Sequence, residues 1–197
     1  MIFDYPESRD CRRHGPDGYA AYESYRPWLR DEFDFRCAYC LKRETWGQIA
    51  SEFELDHFRP QSSNPRLLLD YQNLVYACRR CNAVKGAQST GDPFLLLRVA
   101  LAKFHPDGSL RSLDIATQRL IEQLDLNSPR LKEWRIMWMR IVALAKDRDP
   151  ILYSQLVAFP ENLPNLRNLR PPRNTRKQGL PQCWFAQRER GELPVAY

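Results

Sequence analysis

Apolar positions near the start of the chain recur at helical spacing. Within PDGYAAYESYRPWLRDEF, the side chains of Tyr22, Tyr25, Leu29 and Phe33 fall on one face of a helix. Such a face is typical of a helix that packs against a neighbouring module. The pattern therefore predicts a helical N-terminal segment over residues 1–35.

Residues 36–91 show a different pattern. FELDHF predicts a short strand that ends by Pro60, because proline cannot continue a strand ladder. QSSNPRLLLDYQ is rich in turn-forming residues, LVYA predicts a second strand, and RRCNAVKG predicts a helix closed by Gly86. The order strand, long loop, strand, helix is a ββα unit.

Residues 92–160 predict a hairpin followed by two helices. ALAKF and SLRSL are the two arms of the hairpin, with the turn HPDG between them. The first helix has Asp114 as N-cap and an apolar set that comprises Ile115, Leu120, Ile121 and Leu124. The second has Ser128 as N-cap, Pro129 at its first position and an apolar stripe of Leu131, Trp134, Trp138, Ile141, Val142 and Ala145. This stripe predicts a core face, and only secondarily a partner surface.

The composition changes at about residue 161. ENLPNLRNLRPPRNTRKQGLPQ is rich in Pro, Asn and Arg and offers few residues for a core. The last segment, 161–197, is therefore expected to be an extended, largely irregular basic tail.

Charge and apolar content narrow the class of protein. The formal charge of +6, from 30 Lys and Arg against 24 Asp and Glu, indicates a polyanionic partner. The most apolar stretches, FLLLRVALA and RIMWMRIVALA, are interrupted by Arg98 and Arg140, and no stretch approaches the roughly 20 apolar residues of a membrane helix. No signal-peptide pattern is apparent at the N-terminus. We expect a soluble, cytoplasmic protein.

Two Cys-x-x-Cys pairs indicate a structural zinc site. They are CAYC and CRRC, which contribute Cys37, Cys40, Cys78 and Cys81. Each pair can direct two thiolates at one point, and two pairs complete the tetrahedral shell that structural zinc prefers. The alternatives are buried free thiols or a redox pair, and neither explains the arrangement of four cysteines. A closed four-cysteine site has no open position for chemistry, so it would hold a scaffold.

The sequence ELDHFRPQ lies between the two cysteine pairs and contains Asp56 and His57. A neutral imidazole can take a proton from water, and a carboxylate can hold a hard divalent cation. Water attack on a phosphodiester requires both functions. The pair alone is a weak motif, and its neighbours make it specific.

DHFRP followed by YQNLVYACRRCNAVKG resembles the zinc-containing branch of the HNH endonuclease family, which has the ββα-metal fold. The resemblance implies that His57 is the general base, that Asp56 is a ligand of the catalytic cation, and that Asn73 orients the loop behind the base. The family's last histidine corresponds to Asn82, which makes this an HNN variant. Since an amide oxygen suits hard cations, we expect Mg²⁺ or Mn²⁺ bound by Asp56 and Asn82.

Basic residues around the motif complete the expected site. Lys85 matches a basic position near the phosphate in the family, and it is a predicted catalytic and phosphate-contacting residue. Arg59, Arg79 and Arg80 are further predicted nucleic-acid contacts, and Arg59 has an equally good interpretation as a solvated surface charge. The predicted fold class is α+β: a ββα-metal core clasped by a four-cysteine zinc site, with a β-hairpin and a helical C-terminal extension.

The resemblance implies a metal-dependent endonuclease that cleaves DNA, with RNA as an alternative substrate. The segment LDLNSPRL and the hairpin before it resemble, more loosely, the extension of HNH proteins encoded beside an ATPase in bacterial anti-phage systems of the retron and Septu type. That resemblance implies an antiviral role in which residues 92–197 dock to a partner ATPase. The competing hypothesis is a zinc-stabilised nucleic-acid-binding module without catalytic activity.

Overall fold

The computed structural model describes residues 2–7, 11–46 and 52–194. It combines short antiparallel strand pairs with helices, in agreement with the predicted α+β class. The strands are β1 (Pro16–Asp17), β2 (Phe53–His57), β3 (Leu74–Cys78), β4 (Lys103–Phe104), β5 (Leu110–Arg111) and β6 (Arg173–Asn174). The helices are α1 (Arg26–Glu32), α2 (Arg79–Lys85), α3 (Pro93–Leu96), α4 (Ile115–Gln123), α5 (Pro129–Arg148), α6 (Pro150–Val157) and α7 (Trp184–Glu189).

The centre of the molecule is the ββα unit formed by β2, β3 and α2. β2 and β3 pair antiparallel, with Phe53 opposite Cys78 and His57 opposite Leu74. The aromatic rings of Phe53 and Tyr76 stack at 4.9 Å across the pair and fix its register. α2 ends at Gly86, whose φ of 52° suits a residue without a side chain. The ββα prediction is confirmed in the order of its elements, and each strand ends within one residue of its predicted bound.

The N-terminal helix packs on this unit, as its apolar face predicted. A short 3₁₀ turn at Tyr22–Tyr25 leads into α1, and α1 contacts β3. The side chains of Tyr25, Trp28 and Leu29 are fully buried. α1 therefore forms one wall of the core that carries the candidate site.

The extension beyond the unit follows the predicted hairpin and two helices, with two local differences. Asp114 caps α4 by accepting a hydrogen bond from the Thr117 backbone N–H at 2.8 Å, as expected. Ile115 was predicted to lie on the apolar face of α4, but 66% of it is exposed. Ser128 is the N-cap residue of α5, as predicted, but its side chain makes no capping bond, and its hydroxyl accepts a hydrogen bond from Arg80.

The C-terminal segment is largely irregular, as predicted, but it packs on the molecule instead of extending away from it. β6 pairs with β1, and α7 packs back on the molecule. Three tail residues belong to the main hydrophobic core, namely Leu166, Cys183 and Ala186. The backbone N–H of Trp184 also donates to the buried carboxylate of Asp31 at 2.8 Å. The division of the chain into four segments, with boundaries after residues 35, 91 and 160, stays a prediction.

Within the described part of the chain, every helix is too short or too polar to cross a lipid bilayer.

Candidate active site and metal centre

The four predicted zinc ligands converge at one buried point. The sulfur atoms of Cys37, Cys40, Cys78 and Cys81 all lie within 4.8 Å of one another. The first pair sits on a tight knuckle in which the Leu41 backbone N–H donates to the Cys37 carbonyl at 3.0 Å. The second pair spans the end of β3 and the first turn of α2. The ββα unit therefore supplies half of the centre, and the segment after α1 supplies the other half.

The donor set fits a divalent thiophilic cation. Burial raises the pKa of the Cys37 thiol, whereas hydrogen bonds from the other three cysteines lower the pKa of Cys78. The shared hydrogen bonds thus stabilise one thiolate, and converting all four thiols to thiolates requires a bound positive charge. Four buried cysteines whose sulfur atoms converge at one point match the ligand set of structural zinc.

His57, at the end of β2, is held by the long loop between the strands. Its Nε2 lies 2.9 Å from the carbonyl oxygen of Leu68. A carbonyl can only accept, so Nε2 carries the proton and Nδ1 is the acceptor nitrogen. The ring of Tyr22 meets the imidazole edge-on, with 4.9 Å between the ring centroids. His57 is thereby fixed in the tautomer that a general base requires.

Asn73 fastens the same loop to the end of β2. Its side-chain oxygen accepts from the Arg59 backbone N–H at 3.0 Å, and its amide donates to the Arg59 carbonyl at 3.0 Å. A third bond reaches the carbonyl of Leu67, the residue before the carbonyl that holds His57. This arrangement is what the predicted loop-orienting role of Asn73 requires.

Arg12 reinforces this loop, and sequence reasoning missed it. The fully buried guanidinium of Arg12 donates to the carbonyls of Tyr71, Gln72 and Leu74, at 2.8, 3.1 and 2.6 Å. These carbonyls flank Asn73. Because Arg12 is distant in sequence and belongs to no motif, only the folded chain reveals its contribution.

Asp56 faces away from His57. Its carboxylate accepts a hydrogen bond from the Tyr39 hydroxyl at 2.6 Å and forms an ion pair with the Lys85 ammonium at 2.8 Å. Lys85 was predicted to contact phosphate, but it is only 2% exposed and is committed to Asp56. Lys85 therefore holds the carboxylate of Asp56 from below the surface, and its contact with phosphate stays a prediction.

Asn82 meets a carboxylate that the sequence analysis did not single out. Its amide nitrogen donates to Glu54 at 2.6 Å. Glu54 lies two residues before Asp56, and alternate strand residues share a face, so both acids point toward α2. The alternation of side chains along a strand could have identified Glu54. An acidic residue two positions before Asp56 lies on the same face of the strand as Asp56.

The predicted nucleic-acid contacts are of two kinds: exposed arginines, and an arginine that is bound to other parts of the protein. Arg59 is exposed, and the Arg79 side chain is 69% exposed while it contacts Glu54. Arg80 instead donates to the carbonyls of Leu124 and Asp125, at 3.0 and 2.9 Å. Arg80 therefore ties the first turn of α2 to the turn between α4 and α5, and its assignment as a nucleic-acid contact stays a prediction.

A cavity of 840 Å³ lies elsewhere, between the N-terminal segment and helices α5 and α6. Residues such as Phe33, Leu97, Val142 and Tyr153 line it, and Cys37 borders it. His57, Asp56 and Asn82 do not line this cavity. The cavity is therefore separate from the site around His57.

Comparison with known proteins identifies the central unit. The model of the HNH endonuclease family matches residues 37–88, so this segment is an HNH endonuclease domain. The chain is also similar to the Septu protein PtuB of Bacillus thuringiensis, with 28% identity over 96 residues. The alignment covers 47% of this chain, and the chain spans 37% of that relative's length. The family resemblance is thus confirmed, and the roles of individual residues stay predictions.

Proposed function

We propose that the HNH domain makes this protein a metal-dependent endonuclease that hydrolyses phosphodiester bonds of DNA. The observation that carries the proposal is His57, whose Nε2–H is held by the Leu68 carbonyl at 2.9 Å. This bond leaves Nδ1 as the proton-accepting nitrogen in a loop fastened by Asn73. An inert surface histidine would not need such an orientation.

In the proposed reaction, His57 accepts a proton from water at Nδ1 while the water oxygen attacks phosphorus. The bond between phosphorus and the 3′ oxygen breaks, that oxygen takes up a proton, and the products carry a 5′-phosphate and a 3′-hydroxyl. Asn73 and Arg12 keep the loop, and hence the imidazole, in one orientation. The exposed guanidinium groups of Arg59 and Arg79 attract the phosphate backbone.

Asp56 and Asn82 are the proposed holders of a catalytic Mg²⁺ or Mn²⁺. Carboxylate and amide oxygens are the donors that these cations prefer. A carboxylate has about four lone-pair sites, and the bonds from Tyr39 and Lys85 leave part of that capacity in Asp56. When bound, such a cation neutralises charge on the phosphate and on the leaving oxygen.

The activity is tested with purified protein whose zinc content has first been measured. Plasmid DNA, single-stranded DNA and RNA are incubated with wild type and His57→Ala in Mg²⁺ or Mn²⁺. Loss of the base should slow cleavage by ~10²–10⁴-fold while binding persists. His105→Ala is the matched control, because His105 lies in the hairpin turn outside the HNH domain, and it should cleave as wild type does.

Two results would contradict the proposal. Equal cleavage by wild type and His57→Ala would remove His57 from the mechanism. A wild-type protein that binds nucleic acid and never cleaves it, alone or with a partner, would favour the zinc-stabilised binding module instead.

A role in anti-phage defence with a partner ATPase is part of the same proposal. It is supported by the similarity to the Septu protein and by apolar residues that α5 and α6 leave exposed, among them Met137, Leu144 and Ile151. Residues 92–197 would dock the partner, which holds the nuclease inactive until cleavage is required. Co-purification with the product of a neighbouring gene, followed by cleavage assays on the complex, tests this role.

A further inference from the structure

Arg135, in the middle of α5, is a buried cation that the nuclease chemistry does not use. It is fully buried, and its guanidinium makes one hydrogen bond, from NH1 to the Gly108 carbonyl at 2.8 Å. Within the described residues, its Nε and NH2 groups have no hydrogen-bond partner. A buried guanidinium without a counter-charge is strongly unfavourable, so an anion must lie in its surroundings.

A short chain of contacts connects Arg135 with the cysteine cluster. The guanidinium lies over the ring of Phe104, 4.9 Å from its centroid. Phe104 stacks on Tyr5 at 5.2 Å, and the Tyr5 hydroxyl donates to the carbonyl of Tyr39. Tyr39 is part of the knuckle between Cys37 and Cys40. The cation and the thiol cluster therefore share one buried region.

The electrostatic neighbours of Arg135 agree with this placement. Burial lowers the pKa of Arg135, and Tyr5, Cys40 and Cys81 are the groups that would oppose this effect when ionised. Burial raises the pKa of Tyr5 well above its usual value, so the phenol stays neutral and acts as a donor. The thiolates of a metal-loaded cluster are therefore the negative charges that act on Arg135 within this buried region.

A divalent cation held by four thiolates carries a net charge of −2. All four cysteines are buried, so this charge is shielded poorly by water. The other buried basic groups of the described chain have partners elsewhere: Arg12 binds backbone carbonyls, Lys85 binds Asp56, and Arg43 lies against Trp46 and Val157. Among the described buried arginines, Arg135 has two guanidinium nitrogens without a hydrogen-bond partner, Nε and NH2, whereas Nε alone lacks one in Arg12 and in Arg43.

We propose that Arg135 supplies the positive charge that balances the metal–thiolate centre, from a helix outside the HNH domain. The inference rests on the proposed zinc site and extends it to a partner that no cysteine motif contains. Because coupling is reciprocal, a loaded centre stabilises the docking of α5, and docked α5 tightens metal binding. The integrity of the extension thus depends on the metal state of the core.

The test compares zinc affinity in variants that separate the charge of Arg135 from its hydrogen bond. Arg135→Gln can keep the donor to Gly108 and removes the charge, whereas Arg135→Lys keeps the charge. In competition with a chromogenic chelator, the Gln variant should bind zinc ~10-fold more weakly than wild type. The Lys variant should stay within about threefold, and Arg140→Met, at an exposed position of α5, should match wild type.

Cobalt substitution supplies a spectroscopic readout. Removing a nearby cation raises the energy of the thiolate electrons, so the sulfur-to-cobalt charge-transfer band of Arg135→Gln should move to longer wavelength. The band of Arg135→Lys should stay near the wild-type position. If the Gln variant does not fold, a Lys variant that binds zinc more than about threefold more weakly than wild type, or whose band moves to longer wavelength, would overturn the role of the charge.

Wild type that contains no zinc would overturn the zinc site itself. Zinc-loaded wild type with Arg135→Gln within twofold of its affinity would overturn the role of Arg135 alone. Equal loss of affinity in the Gln and Lys variants would show that the shape of the side chain matters, and would likewise overturn a role for its charge.

Discussion

Asp56 and His57 are adjacent in the chain, yet their side chains leave β2 on opposite faces. His57 contacts the Leu68 carbonyl and the ring of Tyr22, whereas Asp56 contacts Lys85 and Tyr39. The backbone of the loop, and not the neighbouring acid, therefore orients the base. In the proposed reaction this separation lets two adjacent residues perform two functions, water activation by His57 and cation binding by Asp56.

Glu54 gives the first prediction at the scale of a residue. Its carboxylate can only accept, so the bond at 2.6 Å keeps the amide nitrogen of Asn82 toward Glu54 and its oxygen available for a cation. Glu54→Gln adds a donor and allows the amide of Asn82 to flip. We expect cleavage at low Mg²⁺ to fall by roughly 10-fold, because groups behind metal ligands affect affinity by such factors. Raising the Mg²⁺ concentration should restore it.

The control for this prediction is Glu133→Gln, an exposed position on α5. Cleavage rates are measured over a range of Mg²⁺ concentrations for both variants and for wild type. An unchanged Mg²⁺ requirement in Glu54→Gln would show that Glu54 does not position Asn82.

At the scale of elements, the Lys85–Asp56 ion pair fastens α2 to β2. Both side chains are almost completely buried, at 1% and 5% exposure. Lys85→Met leaves a buried carboxylate with the Tyr39 hydroxyl as its remaining described donor. Breaking such a pair destabilises a protein by ~3–5 kcal/mol. Urea unfolding should show this loss in the free energy of unfolding.

Two further variants distinguish the loss of the buried ion pair from the effect on stability of replacing any lysine. Lys42→Met removes a partly exposed pair with Glu52, and it should lower the free energy of unfolding by at most ~1 kcal/mol. Adding Asp56→Asn to Lys85→Met should recover much of the stability, because no buried charge remains. If Lys85→Met and Lys42→Met had the same free energy of unfolding, the buried ion pair between α2 and β2 would not contribute to stability as proposed.

The elements that were predicted correctly depend on local sequence. The period of FELDHF, the turn HPDG and the N-cap at Asp114 each act within a few residues. Ser128 has the same local signal for a cap, but its hydroxyl bonds to Arg80, which is 48 residues away. The contacts of Arg80 and Lys85 within the protein were missed for the same reason, because residue type and spacing predict a charge but not the distant group that pairs with it.

At the scale of the whole molecule, the C-terminal segment shows where composition fails as a guide. Its Pro, Asn and Arg content predicted a solvated tail, because the average residue there contributes little to a core. The observed packing depends on a few long-range contacts, such as Trp184 with Asp31, 153 residues apart. Such contacts leave no periodic signal in the sequence, so the zinc ligands and the ββα unit were predictable and this docking was not.

Gly179 provides a direct test of whether the tail belongs to the cooperative fold. It is buried against the N-terminal segment, where an added Cβ would overlap the Arg13 carbonyl oxygen and lie 2.9 Å from Nδ1 of His14. Since the obstacle includes backbone, Gly179→Ala should open this contact and lower the free energy of unfolding by ~1–3 kcal/mol. Gln178→Ala, at the exposed neighbouring position, should leave the urea midpoint unchanged. A solvated tail would tolerate both substitutions equally, and that outcome would contradict the packed arrangement.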